Sequence, residues 1–336
     1  MLDTIRVSAH VLLWQEIIEN WEAVDGKPYL KAITYYLPNG ASIYFSYNIS
    51  TQYLTLQFSA SKVQNDTNTI AYDFSKYLVC ENEIEKVIEE TIGISIETCS
   101  FNITRDDLNR DFAFDDEESN EEFKNFMNKI LPARCEKREN YPTGFTSQTA
   151  AGNGFRVYDK RCDPHLSEKE LEEMQSSFVT RVEFQLDRKM STRYYGKRFN
   201  LHEILTNEFA AKMVWNKQLR KYGLDKKIVN RKTLDKIARK YLTEAEQEIL
   251  AQMNDEPEFE DKKLRRKQLK VVRKMTALGI CPYSCEIEID LKVSTIEELL
   301  NFRKKREFKK WETSFQNTKS QTQTIRRIIK FIDDSS

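Results

Sequence analysis

Hydrophobic residues alternate with polar ones through most of the first 110 residues, which is the two-residue period of a β-strand. The segment 52–58 shows this pattern, because Leu54, Leu56 and Phe58 alternate with Thr55 and Gln57. Residues 32–37 and 42–47 flank a Pro-Asn-Gly sequence at 38–40, and this arrangement predicts a β-hairpin. The N-terminal region is therefore predicted to consist mostly of strands.

Helical periodicity first appears in residues 81–91, where Ile84, Val87 and Ile88 recur at a spacing of three and four. A second short helix is predicted for residues 120–130. Beyond residue 200 we predict a strand at 284–293 and helices at 201–222, 231–241, 244–253, 262–278, 295–308 and 324–331. The pattern predicts an α+β domain over residues 1–200 and a mainly helical domain over residues 201–336.

Three predicted strands, at residues 104–112, 155–160 and 181–188, each place polar side chains on a single face, because alternate residues of a strand share a face. The residues that share a face are Arg105, Asp107, Asn109 and Asp111 in the first strand, Arg156, Tyr158 and Lys160 in the second, and Arg181, Glu183 and Gln185 in the third. The second and third strands have apolar opposite faces, which we expect to pack on helices.

If these three polar faces lie side by side, their side chains suit phosphodiester chemistry. Carboxylates from different strands bind a hard divalent ion such as Mg²⁺ or Mn²⁺. A phenol is a nucleophile once its proton is removed, and Lys or Arg stabilises the negative charge that develops. The spacing alone favours a plainer alternative, in which cross-strand salt bridges connect the polar residues of an ordinary sheet face.

The three segments resemble motifs of rolling-circle replication initiators, namely the plasmid trans-acting Rep family and the filamentous-phage gene II/X replication proteins. Residues 104–112 (TRDDLNRDF) are similar to the T-R-x-D-L-x-x-D-F strand of these families. Residues 155–160 (FRVYDK) are similar to their F-x-R-x-Y-[DN]-K element, although the spacing before Arg156 differs, and residues 181–188 (RVEFQLDR) to their R-x-E-x-x-L-x-R strand. The resemblance covers residues 100–190, with a weaker likeness at residues 1–7.

The resemblance implies a single-strand DNA endonuclease and strand transferase. The tyrosine of the Y-[DN]-K element attacks the origin phosphodiester, leaves a 5′-phosphotyrosine and a free 3′-OH, and later rejoins the displaced strand. The implied fold is the five-stranded antiparallel sheet with flanking helices of the HUH nickases. This sequence has no His-hydrophobic-His triplet, as in the two families, so carboxylates are expected to bind the metal.

By this resemblance Tyr158 is the expected nucleophile, with Tyr194 and Tyr195 as its rivals, and Arg156 and Lys160 assist it. The expected ligands of Mg²⁺ or Mn²⁺ are Asp107, Asp111 and Glu183. Asp107 and Asp111 lie about 13 Å apart along one strand at roughly 3.3 Å per residue, so Glu183 is the better partner for either. Arg181 is expected to contact DNA.

Charge is distributed unevenly along a chain of 336 residues whose 53 basic and 53 acidic residues cancel. Residues 212–240 carry eleven basic and two acidic residues, and residues 115–122 carry six acidic ones. This segregation fits a surface that faces a polyanion, although an ordinary solvated helix explains it as well. In the basic segment, a helix with Arg231, Lys232, Lys236 and Arg239 on its outer face is a candidate for binding duplex DNA.

The partners expected are a replication origin, single-stranded at the nick, together with a host helicase, a host polymerase and a second copy of the chain. No apolar run approaches the roughly 20 residues of a membrane-spanning helix. No secretory signal or disulfide framework is evident, so a cytoplasmic protein is expected. Two alternatives remain open: a conjugative relaxase with the same chemistry, and a non-catalytic DNA-binding protein that controls replication.

Overall fold

An antiparallel sheet of ten strands organises the part of the chain that the computed structural model describes, which is residues 1–67, 69–130, 137–149, 153–163, 166, 168–174, 178–196, 199–255, 257 and 261–292. The strands are β1 (Leu2–His10), β2 (Glu22–Val24), β3 (Lys27–Tyr36), β4 (Ser42–Asn48), β5 (Tyr53–Ser59), β6 (Asn102–Phe114), β7 (Lys137–Tyr141), β8 (Gly144–Gln148), β9 (Gly154–Asp159) and β10 (Phe178–Asp187).

The strand order is β2-β3-β4-β5-β1-β6-β10-β9-β8-β7, and every neighbouring pair is antiparallel. The expected five-stranded sheet is therefore wrong in its size. The strands β2–β5 do not form a separate layer, because β1 pairs with β5 on one side and with β6 on the other. The hairpin predicted around residues 38–40 is present as β3 and β4.

Eleven α-helices occur in the described residues: α1 (Gln15–Glu19), α2 (Ala60–Asn65), α3 (Tyr77–Ile92), α4 (Glu117–Asn128), α5 (Glu168–Met174), α6 (Arg188–Tyr195), α7 (Leu201–Thr206), α8 (Glu208–Tyr222), α9 (Arg231–Tyr241), α10 (Glu244–Asp255) and α11 (Lys262–Ala277). The helix predicted over 201–222 is broken at Asn207, whose side chain caps α8 by accepting a bond from the Ala210 N–H. A mixed helix and sheet fold is thus confirmed.

Residues 284–292 form no strand, contrary to our prediction. Their backbone does not join the sheet: the carbonyls of Leu291 and Lys292 accept bonds from the Arg110 guanidinium, and Leu291 also accepts one from the Trp215 indole. The helices predicted at 295–308 and 324–331 lie outside the described residues.

The apolar face of the sheet packs on helices, as predicted for the second and third polar strands. Phe155 of β9 and Phe184 of β10 stack on each other and against Tyr222 of α8, and Phe184 also contacts the buried Trp215. A smaller core joins α9, α10 and α11 through residues such as Leu234, Leu250, Val271 and Met275. Residues Met1–Lys292 form one compact unit, and a functional division near residue 200 stays a prediction.

No helix in the described part of the chain has both the length and the apolar composition that a membrane span requires.

Candidate functional site

The three polar strands of the sequence are neighbours in the sheet, in the order β6-β10-β9. Across β10 and β9, Arg181 stands opposite Tyr158 and Glu183 opposite Arg156. Across β10 and β6, Arg181 stands opposite Asp111. Directly paired residues of antiparallel strands point to the same side, so the polar side chains of all three strands share one face.

A cleft of about 570 Å³ opens on this face. Its lining includes Asp107 of β6, Arg156 and Tyr158 of β9 and Glu183 of β10, which are four of the residues that the sequence selects. Asp111, Lys160 and Arg181 are not part of the lining. These four residues bring a phenol, a guanidinium and two carboxylates from three strands into one cleft, which Asp3, Arg105, Tyr141 and Asp163 also line.

Tyr158 lies next to a cation and a carboxylate. The Arg156 guanidinium stands over its ring, 5.6 Å from the ring centre, and is itself 3.5 Å from Glu183 Oε1. Burial, and then the negative charge of Glu183, raise the pKa of the Tyr158 hydroxyl above its ordinary value. Tyr158 is therefore protonated at neutral pH in this structure, and positive charge near its oxygen, from Arg156 or from an added cation, favours loss of that proton.

The carboxylates of the cleft are buried close enough to repel one another. Burial raises the pKa of Asp107 to about 8, although Arg105 donates a 2.8 Å bond to it, and Glu183 adds to the rise. Burial also raises the pKa of Glu183, and the charge of Asp3 contributes. Carboxyl groups whose ionisation is opposed first by burial and then by neighbouring negative charge are electrostatically suited to a cation.

The fit of a divalent ion is partial. In the part of the chain that the structure describes, no three carboxylate, His or Cys side chains are arranged to hold a metal on their own. Mg²⁺ is commonly held by one or two carboxylates, with waters and substrate phosphates completing its shell. Asp107 and Glu183 satisfy that smaller requirement, and the identity of the metal ligands stays a prediction.

Asp111 and Arg181 form an internal ion pair and do not face the cleft. The Arg181 guanidinium bonds both oxygens of Asp111, at 2.6 and 2.7 Å, and its Nη1 lies 3.3 Å from Asp3 Oδ2. Only 2 % of Arg181 is exposed. Arg181, which was expected to contact DNA, is thus buried in this structure. Asp111, the third expected metal ligand, is bound by Arg181 instead.

Lys160 also differs from expectation. The strand β9 ends at Asp159, and Lys160 begins a short 3₁₀ turn, so the alternation of the strand does not set the direction of its side chain. It is fully buried, forms an ion pair with Asp163, and burial lowers the pKa of its ammonium group. Lys160 is therefore placed to anchor the Asp163 loop at the edge of the cleft.

The two rival tyrosines lie elsewhere. The Tyr195 hydroxyl donates a 2.8 Å bond to Asp106, which the alternation of β6 places on the opposite face of the sheet from Asp107. Lys217 stands 5.7 Å from the ring centre of Tyr194. Neither tyrosine lines the cleft, so the geometry favours Tyr158 among the three.

The predicted DNA-binding helix is present as α9, with the predicted bounds. Lys232, Lys236 and Arg239 are exposed. Arg231 instead bonds Asp255 through both terminal nitrogens, at 2.8 and 3.0 Å, and Asp235 through Nε. Arg231 therefore connects α9 to α10 through an ion pair. The other three of the four predicted cations are exposed on the surface.

Two groups of candidate functional residues, Asp3 and the cations of α11, were not predicted from the sequence. Asp3 reaches the cleft because β1 lies beside β6, and no local pattern signals that pairing. The helix α11 has eight basic residues and no acidic one among sixteen, a signal that was visible in the sequence. Its exposed cations are Lys263, Arg266, Lys267, Lys270 and Arg273.

No protein-family model and no curated protein matches the chain. A solved structure, the rolling circle replication initiator protein from Geobacillus stearothermophilus, is similar over 66 % of this chain and 84 % of its own, with 11 % identity and a TM-score of 0.35.

Proposed function

We propose that this protein is a site-specific single-strand DNA endonuclease and strand transferase, which initiates rolling-circle replication through a 5′-phosphotyrosine. One observation carries the proposal: Tyr158, Arg156, Glu183 and Asp107 line one cleft although they come from three strands. The sequence motifs that resemble replication initiators thus supply a nucleophile, a cation and two carboxylates to a single cavity.

Nicking is an in-line exchange at phosphorus. The Tyr158 oxygen forms a bond to the phosphorus while the bond from phosphorus to the 3′ oxygen breaks. The phenolic proton leaves to water on the open side of the cleft, and the departing 3′ oxygen takes up a proton to become the 3′-OH. Arg156 stabilises the negative charge on the tyrosyl oxygen and on the phosphate.

Joining is the same exchange in reverse. A 3′-OH attacks the phosphotyrosine, the bond between phosphorus and the tyrosyl oxygen breaks, and Tyr158 regains its proton. No external energy source is needed, because one phosphoester bond replaces another. The released 3′-OH of the nicking step serves a host polymerase as a primer.

Asp107 and Glu183 are the residues proposed to hold Mg²⁺ or Mn²⁺ together with the DNA phosphate. The bound ion would withdraw charge from the phosphate and orient it. Both carboxyl groups line the cleft, and because burial raises the pKa of each, a cation bound between them would favour their ionised form, which supports this part of the proposal.

Origin recognition is proposed for the exposed cations of α9, namely Lys232, Lys236 and Arg239. A host helicase and a second copy of the chain are further proposed partners. A conjugative relaxase would use the same cleft and the same chemistry, so only the DNA element that carries the gene distinguishes the two.

The first prediction tests the nucleophile. Incubation with a labelled single-stranded origin oligonucleotide and Mg²⁺ should give a covalent protein–DNA adduct, and Tyr158→Phe should abolish it while oligonucleotide binding persists. Tyr194→Phe is the matched control and should keep the adduct, which denaturing electrophoresis detects. An adduct that survives in Tyr158→Phe and disappears in Tyr194→Phe or Tyr195→Phe would reject the assignment.

The second candidate function is non-catalytic DNA binding. Two ion pairs favour it, because Arg181 binds Asp111, an expected metal ligand, and Asp163 binds Lys160, an expected catalytic residue. It predicts origin binding without any adduct in the wild-type protein, so the same experiment separates the two functions.

A further inference from the structure

The polar face of the sheet continues beyond the cleft, across β1, β5 and β4 to β3. One row of directly paired residues runs across these strands from the cleft. It consists of Arg105, Arg6, Gln57, Tyr44 and Thr34. Because paired residues share a side of the sheet, this row lies on the same face as Tyr158.

Three tyrosines on the part of this face formed by β3, β4 and β5 are exposed to solvent. Tyr36, Tyr44 and Tyr53 expose 73 %, 37 % and 43 % of their surfaces, and we call them the tyrosine face. Their neighbours along the strands, such as Phe45 and Leu54, are fully buried on the other side. The face is therefore one side of a well-packed sheet that presents aromatic rings to water.

The tyrosine face and the catalytic cleft form one continuous surface. Ser42, Tyr44 and Gln57 line the same cavity as Tyr158 and Glu183. Two guanidinium groups lie between them, because Arg6 stands opposite Arg105 on the neighbouring strand. Arg6 Nε donates a 2.8 Å bond to Gln57 Oε1, which holds its charge over the sheet.

We infer that the tyrosine face binds the bases of single-stranded DNA that extends from the phosphate at Tyr158. Exposed aromatic rings stack on unpaired bases, and adjacent arginines neutralise the backbone phosphates. In a duplex the flat faces of the bases are covered by their neighbours, so this surface suits a single strand. The direction of the strand, towards Tyr158, rests on the proposed function, whereas the binding itself does not.

The dimensions of the sheet fit an extended strand of several nucleotides. Tyr158 and Tyr44 are five strand spacings apart in the order β9-β10-β6-β1-β5-β4, which is roughly 24 Å measured perpendicular to the strands at about 4.8 Å per spacing. Single-strand binding sites on OB-fold proteins cover about 4–16 nucleotides per fold. We therefore expect affinity to grow with oligonucleotide length on one side of the nick.

The second prediction is measured as equilibrium binding of a fluorescent single-stranded oligonucleotide in EDTA, where no cleavage is proposed to occur. Tyr44→Ala and Tyr53→Ala should each weaken binding about 5- to 100-fold, which is the range for loss of one base–aromatic stack. Tyr44→Phe and Tyr53→Phe keep the ring and should bind within about two-fold of wild type by the same reasoning.

Tyr29→Ala is the matched control, because Tyr29 is 46 % exposed but lies out of phase with the tyrosine face on β3. An oligonucleotide without bases in the contacted region should bind wild type and Tyr44→Ala equally. Unchanged affinity in both alanine variants would overturn the inference, and so would an equal loss for the oligonucleotide without bases. Tighter binding of RNA of the same sequence would also overturn it, since the site would then be an RNA site.

The test of the single-strand site gives a result that is independent of the test of the nucleophile. If Tyr158→Phe keeps the adduct but Tyr44→Ala loses affinity, the nucleophile is wrong and the single-strand site stands. If the adduct depends on Tyr158 while the tyrosine variants bind normally, nicking stands and the single strand lies elsewhere.

Discussion

Individual residues of the cleft show how far the sequence determines a site. The period of two predicted which side chains share a face within each strand, because pleating forces alternate side chains to the same side. That the faces carrying Asp107, Glu183 and Tyr158 are neighbours follows from the strand order of the sheet. It did not predict that Asp111 would pair with Arg181, since that depends on the register between strands that are distant in sequence. Asp3 could not be predicted at all without knowing that β1 lies beside β6.

The third prediction concerns Glu183. At an ion concentration ten times the dissociation constant, Mg²⁺ should stabilise the wild-type protein by about 1.4 kcal/mol, seen as a rise in Tm. Glu183→Gln keeps the shape of the side chain but removes its charge. The rise in Tm should therefore largely disappear, and nicking should require a much higher Mg²⁺ concentration.

Asp111→Asn is the comparison for Glu183→Gln. Because Arg181 occupies Asp111 in the structure, we expect Asp111→Asn to keep the Mg²⁺-dependent rise in Tm. A loss equal to that of Glu183→Gln would restore Asp111 as a ligand. Full nicking in EDTA together with no Mg²⁺ effect on the wild-type Tm would contradict a carboxylate-bound metal altogether.

Secondary-structure elements with strong local signals were predicted best. The hairpin of β3 and β4 contains the turn-forming sequence Pro-Asn-Gly at residues 38–40. The helix α9 has an N-cap at Asn230 and a regular apolar stripe. The strand predicted at residues 284–293 is wrong. Apolar and polar residues do alternate there, but the carbonyls of Leu291 and Lys292 accept bonds from the side chains of Arg110 and Trp215. Periodicity describes which side chains share a face, and it does not say whether a strand partner is available.

The fourth prediction concerns the packing of β8 on β9. A Cβ added to Gly144 would lie 2.0 Å from the Val157 carbonyl oxygen and 2.7 Å from the Tyr158 Cα, so Gly144→Ala must displace the backbone beside the nucleophile. We expect a lower Tm, measured by thermal unfolding, and, if Tyr158 acts as proposed, at least a ten-fold loss of adduct formation, measured by gel assay.

Gly154→Ala is the control on the neighbouring strand. Its new Cβ would meet the side chain of Gln185 at 2.4 Å, and a side chain moves aside more easily than a backbone. Gly154→Ala should therefore affect adduct formation less than Gly144→Ala. An equal effect of the two substitutions would show that the strand contact at Tyr158 has no special importance.

The whole molecule differs from the sequence-based prediction mainly in the size of its sheet. The order of ten strands depends on pairings between segments far apart in the chain, for which one sequence contains no direct signal. The basic surface was predicted only in part, since DNA binding was predicted for a helix in segment 212–240 but not for the more densely charged α11. In three dimensions the two basic helices belong to one small core with the acidic α10.

The fifth prediction compares the two basic helices as duplex-binding surfaces. Each phosphate neutralised contributes about −0.9 to the slope of log K against log salt. Replacing Lys232, Lys236 and Arg239 with Ala should flatten the slope by up to about 3 units if α9 contacts the origin. Fluorescence titration across a salt series measures the slope.

Replacing Arg266, Lys267 and Lys270 of α11 with Ala provides a comparison with the same change in charge. An effect of the α11 variant alone would transfer duplex binding from α9 to α11. Nicking of a short single-stranded oligonucleotide should be normal in both variants, because neither helix contributes to the cleft.

The central position of β1 has a consequence for how the site forms during folding. Arg6 pairs with Arg105, so the contact that joins β1 to β6 closes a loop of about a hundred residues, and such distant pairings form slowly. Tyr158, Arg156 and Glu183 belong to β9 and β10, whereas Asp3 arrives only with β1. A transient opening of the pairing between β1 and β6 would detach both Asp3 and the tyrosine face from Tyr158 while β6, β10 and β9 stay paired.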